Sequence, residues 1–457
     1  MLTDQNRNTY VVGSRHFPGP TSTPLSDVFV AKLDPTGATV FIATFSGKGS
    51  DEGHAIALDA AGDILVGGTT SSPDFPIRNA LQPQRSSFGS TGFLMKLSPD
   101  GSQLVYSTYF GGTTGNSSVN AIAADSAGNV YLAGNTSSAD FGTTPGMPAG
   151  QVRVLGPSAT TAAFVAKVNP AGDHVLYAGR ISGGAVACGA GSSCFLSSRY
   201  ISADGIGLDA AGNAYMAGYA NVMDLPTTPG ALVPLGIGGW VARVNSAGNK
   251  LDYLTYLGIA NYVIAPYANP GNTVSGLAVD AVGNVYLAGR TSDPRFPATA
   301  GAYQSKYNGP SQPAPYPVPP SDAFVAKLNP LGTAMVYATF LGGLADDVAT
   351  AIAIDANGTA YVAGRTQSSD FPVTTGTSKG TDFIAVANPA GTSLTYSARF
   401  PGGSISQAIA ADTDGRVRAA SPTGLIYALT LTQPLSTRLF GTVNAAGGML
   451  VSCNRNS

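Results

Sequence analysis

The stretch GNVYLAG, Gly128 to Gly134, decides the reading of this chain because it returns along the whole sequence. It reads AGDILVGG at Ala61 to Gly68, GNAYMAG at Gly212 to Gly218, GNVYLAG again at Gly283 to Gly289, and GTAYVAG at Gly358 to Gly364. A truncated copy, NTYVVG, ends at Gly13, and a decayed one, GRVRAAS, ends at Ser421. Three residues before each glycine, or its equivalent, stands an aspartate: Asp4, Asp59, Asp125, Asp209, Asp280, Asp355 and Asp412. Seven copies at unequal intervals (55, 66, 84, 71, 75 and 57 residues) imply a fixed unit with loops of variable length inside it.

Working outward from GNVYLAG, each unit contains four strand-like pieces of four to eight residues, rich in β-branched and aromatic side chains and bounded by Gly, Pro, Asn or Asp. Around the central copy they are AIAAD (Ala121 to Asp125), NVYLAG and AAFVAKVNP (Ala162 to Pro170), with LVYSTYFGG (Leu104 to Gly112) closing the preceding unit. The first two pieces are joined by Asp, two residues and Gly, with Asn8 in that place in the first copy. The last two are joined by NPxG or a variant, as at Asn169 to Gly172 and Asn329 to Gly332. Both are tight turns, opened by an Asx side chain and closed by a glycine at positive φ. The other two connections are long and unequal. One opens with phrases such as TTSSPDFP (Thr69 to Pro76), RTSDPRFP (Arg290 to Pro297) and RTQSSDFP (Arg365 to Pro372); the other reaches about twenty residues at Gly183 to Asp204 and Gly258 to Ser275. An up-and-down sheet places the tight turns at one end and the long loops at the other, giving a smooth face and a variable face.

This pattern predicts an all-β fold, a seven-bladed β-propeller of four-stranded antiparallel blades, because radial closure hides the sheet edges that a flat stack would expose. First strands of Ala and Gly beside Ile or Leu suit a crowded axis. Tyr131, Tyr215, Tyr286, Tyr361, Phe164, Trp240, Phe324 and Phe383 suit the wider space between blades. A right-handed β-helix is the competing architecture, but its coils are shorter and more regular than these units. The propeller is expected to occupy 1–441, with 442–457 as a tail whose apolar GGMLVSC, Gly447 to Cys453, is expected to close the ring against the stunted first unit. The brevity of that first unit also suggests a processed or trimmed N-terminus.

Composition narrows the function. Hydrophobic residues are 44% of the chain, enough for a large core, while charged residues are 11% and the net charge is -2. Such a balance offers no electrostatic footprint for nucleic acid and no basic patch for a membrane surface. No apolar run approaches the roughly 18 residues of a membrane helix, and no signal peptide opens the chain. The expectation is a monomer without membrane insertion.

The joint pattern DAAGNAYMAG, a TSSxDFP phrase, DAFVAKLNPxG and LVYSTYLGG resembles the bacterial SBBP repeat, a beta-propeller repeat of secreted and surface proteins, over nearly the whole chain. The resemblance implies the propeller fold and a secreted or cell-surface location, and it brings no catalytic residues with it. The last unit departs from it: Arg418 replaces the tyrosine and GLIYALT, Gly424 to Thr430, replaces DAFVAK. The lysine of that phrase (Lys32, Lys96, Lys167, Lys327) is Arg243, Val386 or Leu429 elsewhere.

Few residues carry chemistry. The turn aspartates are read as structural, each holding its own turn's backbone; a carboxylate ring able to hold a cation such as calcium is the alternative, and no cofactor is expected. Asp74, Asp140, Asp224 and Asp370 repeat in the long loops and are read as braces. His16, His54 and His174 form no metal-ligand spacing, and no P-loop, GxSxG elbow or dinucleotide fingerprint is present. Cys188 and Cys194, in CGAGSSC, are read as a local disulfide, with free thiols as the alternative, leaving Cys453 alone. Candidate ligand-binding residues stand just before the first strands, where the copies differ: Glu52, His54, Asn120, Asp204, Ser275, Thr350 and Gln407. Arg199, Tyr200, Tyr262, Tyr267 and Asn272 on the two longest loops join them. A binding module for an extracellular glycan, peptide or protein is the first reading, and an extracellular polysaccharide hydrolase or lyase using the same funnel is the second. A dedicated small-molecule or metal-binding propeller is the third.

Overall fold

The structure, a computed structural model, describes residues 1–18, 25–87, 89–148, 160–183, 199–258, 272–309, 319–374, 379–402, 408–411, 416–420, 425–430 and 436–442. Among them there is no α-helix, and the strands pair only with their sequence neighbours, antiparallel, in four-stranded sheets. The first sheet is β1 (Leu2–Thr3), β2 (Thr9–Phe17), β3 (Leu25–Leu33) and β4 (Thr39–Phe45), and the second is β5 (Asp51–Leu58), β6 (Ile64–Thr70), β7 (Thr91–Leu97) and β8 (Leu104–Phe110). The third is β9 (Ser117–Ala124), β10 (Val130–Thr136), β11 (Ala162–Val168) and β12 (Val175–Ile181); the fourth is β13 (Ile201–Leu208), β14 (Ala214–Ala220), β15 (Gly238–Val244) and β16 (Leu251–Tyr256). The fifth is β17 (Thr273–Val279), β18 (Val285–Thr291), β19 (Asp322–Leu328) and β20 (Met335–Leu341); the sixth is β21 (Asp347–Ile354), β22 (Ala360–Thr366), β23 (Asp382–Ala387) and β24 (Leu394–Phe400). The closing sheet is β25 (Ala408–Ala411), β26 (Arg416–Ala420), β27 (Leu425–Thr430) and β28 (Ser436–Thr442). Strands β5, β9, β13, β17 and β21 pack in succession around a central channel, so the fold is a β-propeller.

The expectation of a seven-bladed propeller is corrected to six. Six blades, β1 to β24, follow the repeat, while the closing sheet pairs in the same order but departs from it. Of its inner strand, Ala408–Ala411 is described, and it pairs with β26. Arg418 stands where the tyrosine would be, and Leu429 replaces the lysine. Two members of the residue set that fixes a blade's smooth end, the tyrosine and the lysine, are therefore missing there.

That set explains most of what repeats. At the turn between β9 and β10, Asp125 accepts hydrogen bonds from the Asn129 amide (2.9 Å), from the Asn129 side chain (2.8 Å) and from the Tyr131 hydroxyl (3.1 Å). Lys167 on β11 lies 3.2 Å from the same carboxylate and 4.6 Å over the Tyr131 ring. The first blade repeats the arrangement with Asp4, Tyr10 and Lys32, the fourth with Asp209, Tyr215 and Arg243, and the fifth with Asp280, Tyr286 and Lys327. Asp59 instead meets Lys96 at 2.7 Å, and Asp355 keeps its tyrosine, Tyr361. The turn's positive φ falls on Gly128 (81°), and in the first copy it falls on Arg7 (65°), not on Asn8 as the spacing suggested. Asn8 is the residue whose amide and side chain bind Asp4, as Asn129 binds Asp125.

The core fills the spaces between neighbouring sheets. Tyr131, Tyr177, Met216, Trp240 and Tyr256 pack as one cluster between the third and fourth blades. Burying such rings at about 25 cal/mol per Å² of apolar surface is what drives the blades together. The tail after Thr442, Asp412, Gln407, Tyr262, Tyr267, Cys188 and Cys194 lie outside the described residues.

Candidate functional site

Each inner strand from β5 to β21 breaks register with its neighbour at one place, leaving one residue unpaired. In β5 the pairs run Gly53–Gly68 and then Ala55–Gly67, and in β9 Val119–Gly134 and then Ala121–Ala133. The skipped residues are His54, Asn120, Asp204, Ser275 and Thr350. Five of the candidate positions are thus one structural position, a β-bulge, and a bulge re-aims a side chain out of the pleat.

The last glycine of GNVYLAG belongs to this device. A Cβ on Gly134 would overlap the carbonyl oxygen of Ser118, and the ring of Phe164 closes the other side. Gly68, Gly218, Gly289 and Gly364 would meet the carbonyls of Glu52, Ser202, Thr273 and Val348 in the same way. The glycine gives the bulged strand room to approach, and the bulge delivers a variable side chain to the mouth of the channel.

In the second to fourth blades those side chains link into a continuous polar network. Glu52 lies 3.5 Å from His54 Nε2; His54 Nδ1 lies 3.2 Å from the Val119 carbonyl and 3.4 Å from Ser118 Oγ. Ser118 receives a hydrogen bond from Thr69 (2.7 Å) and donates to Asn120 Oδ1 (2.6 Å). The Asn120 amide donates to Asn135 (3.1 Å), to the Ala203 carbonyl (3.2 Å) and to Asp204 (3.4 Å), while Ser202 donates to the other Asp204 oxygen at 2.8 Å. Asp204 is open to solvent yet hemmed in by the channel wall; this desolvation pushes its carboxyl above the ordinary range despite the bonds from Ser202 and Asn120. Tyr200, exposed and close to Ser202 and Asp204, extends the network, and burial raises its hydroxyl as well.

The remaining candidates stand apart from it. Ser275 is exposed at its bulge, and Thr350 donates to the Ala363 carbonyl of its own blade at 3.1 Å. Arg199 contributes a backbone carbonyl to the Thr161 amide, and Asn272 is buried and accepts from Thr291. Sequence reading missed Ser118, Thr69, Asn135 and Ser202, because the residues beside the bulge alternate between the two faces of the strand and, apart from the serine shared by Ser118 and Ser202, change from copy to copy. Arg290 and Arg365 hold the position of Asn135 in the fifth and sixth blades, and both are exposed. Acids and amides thus fall in the second to fourth blades and guanidinium groups in the fifth and sixth.

Loop acids brace their neighbours: Asp74 accepts from the Lys48 amide (2.8 Å), Asp140 from the Thr113 and Thr114 amides, and Asp370 from the Leu344 amide (3.0 Å). Among the described residues no group of three His, Cys, Asp or Glu is placed to hold a metal, and no helix is long and apolar enough to cross a membrane. Two cavities lie away from the mouth. One of about 540 Å³, at the smooth end, is lined by Asp125, Lys167 and Asp209, whose charges the turns already use. The other, of about 340 Å³, lies between the second and third blades beside Phe110 and Phe141.

No curated protein matches the chain in sequence. Three solved structures overlay on it. A chain of the Mitotic Checkpoint Complex is 6% identical, covers 84% of this chain and 76% of its own, and gives a TM-score of 0.44. The WD40 beta propeller domain of Doa1 is 10% identical over 89% of each chain, with a TM-score of 0.45. BamB from Moraxella catarrhalis is 9% identical over 94% of this chain and 91% of its own, with a TM-score of 0.40. Residues 105–142 and 336–372 each match the SBBP family, described as a beta-propeller repeat, and the chain accordingly carries SBBP beta-propeller repeats.

Proposed function

We propose that this protein is a secreted or cell-surface interaction module that binds a polar ligand, a glycan, peptide or protein segment, over the mouth of its channel on the variable face. The observation that carries the reading is the bulge. One backbone position, built the same way in five blades, presents His54, Asn120, Asp204, Ser275 and Thr350, so the scaffold repeats while the presented chemistry does not. Hydrogen-bonding groups of both kinds, acids and amides in the second to fourth blades and the exposed Arg290 and Arg365 in the fifth and sixth, suit a ligand rich in hydroxyl, amide or charged groups. Glycan and peptide arrays probed with the purified protein test it. Hits should weaken by about tenfold or more for His54→Ala or Asp204→Asn at unchanged melting temperature, a loss in the range of a buried polar contact. Binding indifferent to both substitutions overturns the reading.

The 3.5 Å contact between Glu52 and His54 supports the second reading, a polysaccharide hydrolase or lyase. Against it, Ser118 and Asn120 stand between that pair and Asp204, so the two acids do not flank one reacting bond. Turnover of an array hit that is abolished by Glu52→Gln would favour the enzyme.

A further inference from the structure

The second to sixth blades each wear a strap. After their second strand the chain descends along the outer face and pairs with the fourth strand as a partial fifth. Arg78 exchanges backbone hydrogen bonds with Ser107 (2.9 and 2.8 Å), and the Tyr109 amide donates to Gln82. Thr144 donates to Ala178, Thr228 to Leu254, Thr299 to Ala338 and Thr374 to Ser397 in the same manner. Each strap also inserts one apolar side chain against the third strand. Phe75 stacks on Phe93 at 4.7 Å, Phe141 on Phe164 at 4.8 Å, Phe296 on Phe324 at 4.7 Å and Phe371 on Phe383 at 4.5 Å; Leu225 packs in the cluster of Trp240.

The first blade differs. Phe17 pairs with Leu25, so only seven residues join β2 to β3. At roughly 3.5 Å per residue they reach about 25 Å, whereas descending to the level of Ile42 and returning takes about 40 Å. Register places Ile42 where the other blades have Ser107, Ala178, Leu254, Ala338 and Ser397. Those five are at most 5% exposed, and Ile42 is 36% exposed. Thr44 is exposed where Tyr109, Tyr256 and Phe340 are buried, and Phe29 is half-buried where Phe93, Phe164, Phe324 and Phe383 are fully buried. Among the described residues no ring stacks on Phe29.

We propose that the outer face of the first blade is a docking site for an extended segment of a partner protein carrying an aromatic residue followed by proline, seated as the chain's own straps are. The five straps supply the geometry: backbone pairing to Ile42 and Thr44, and a ring against Phe29. A second copy of this chain is the poorer occupant. If β4 paired with its own copy, the outward Val40, Ile42 and Thr44 would meet edge to edge, while Phe41 and Phe45 face the other way and would bring no ring over Phe29.

The probe is a labelled peptide of the Ser71 to Gln82 sequence, SSPDFPIRNALQ, titrated into the intact protein by fluorescence anisotropy. Saturable binding is expected, weakened by about tenfold or more when the peptide's phenylalanine is replaced by alanine. Thr44→Pro removes the outward amide without touching the ladder to β3, and Ile42→Lys charges the contact. Both should lose the peptide while keeping the parent's melting temperature. Equal binding of the two peptides, or binding that survives both protein variants, overturns the proposal. So does concentration-dependent self-association that Thr44→Pro abolishes in a protein that ignores the peptide, because a second copy would then be the occupant.

Discussion

The carbonyl oxygen of Ser118 sits over the Cα of Gly134, where a Cβ would be, and the Phe164 ring stands 2.9 Å from that place on the other side. Gly134→Ala must push the bulged strand into the channel or displace the ring. The expected loss is about 1–3 kcal/mol, as for overpacked cores, read from the denaturant midpoint. Gly142, with nothing within 4 Å of its missing Cβ, is the control; alanine there should leave the midpoint unchanged.

At the smooth end, the Asp125 carboxyl is held below the ordinary carboxylate range. Burial works against this, but the Asn129 side chain and amide and the Lys167 ammonium outweigh it. A depressed carboxyl stabilises the fold above its unfolded pKa, and that contribution is lost as pH falls through the folded value. Asp125→Asn should therefore lower stability by about 1 kcal/mol at pH 7 and by much less near pH 3. Thermal melts at both values check it; an equal loss at both would mean the carboxylate's charge is irrelevant.

How much of this could be read beforehand follows from which residues repeat. The Asp turns, the four strands and the two faces were legible, because each copy spends the same residues on them: Asp125, Gly128, Tyr131. The lysine was visible but its role was not, since Lys167 meets Asp125 only after β10 and β11 pair. The bulge left no mark, because its cause is a clash avoided by Gly134 and its product, Asn120, changes in every copy. The shortness of the link between Phe17 and Leu25 was visible but its consequence was not, since Ile42 takes the place of Ser107 only once β3 and β4 pair. The last unit announced its departure through Arg418, yet its effect on the blade count needed the pairing of β1 to β24 into six regular sheets.

In the fifth and sixth blades, Asp322 and Asp347 are both fully buried around Gly342, whose absent Cβ would lie 2.5 Å from Asp322 Oδ1 and 2.8 Å from Asp347 Oδ2. Burial first, then the charges of Asp347 and Asp370, push the Asp322 carboxyl up to about 7, against hydrogen bonds from Asn308 and Gln304. The folded state binds the extra proton, so stability should fall as pH rises from about 4 to about 7 and then level off. Asp322→Asn should be close to neutral at pH 4 and stabilising by about 1–3 kcal/mol at pH 8. Denaturation across that range decides it, and a variant that loses stability at pH 8 would show that the ionised form is wanted.

The ring must also close between the two ends of the chain. Arg418, almost fully buried on β26, donates to the Arg7 carbonyl at 3.2 Å, and Ile426 packs against Val11, Ala31 and Leu33 of the first blade. Among the described residues, Val11, Ala31, Leu33 and Ile426 form the apolar part of this joint. A ring should open there first, because this is the joint at which no chain connection links the two neighbouring sheets, so only side-chain and backbone contacts hold it. Ile426→Ala is expected to cost about 2–4 kcal/mol as a cavity in a tight cluster. Hydrogen exchange gives the sharper reading: amides of β2, β3 and β26 should exchange faster in the variant while those of β10, β11, β14 and β15 keep their protection. Uniform acceleration across all blades would mean that the ring unfolds as one unit, without opening first at the joint between its ends.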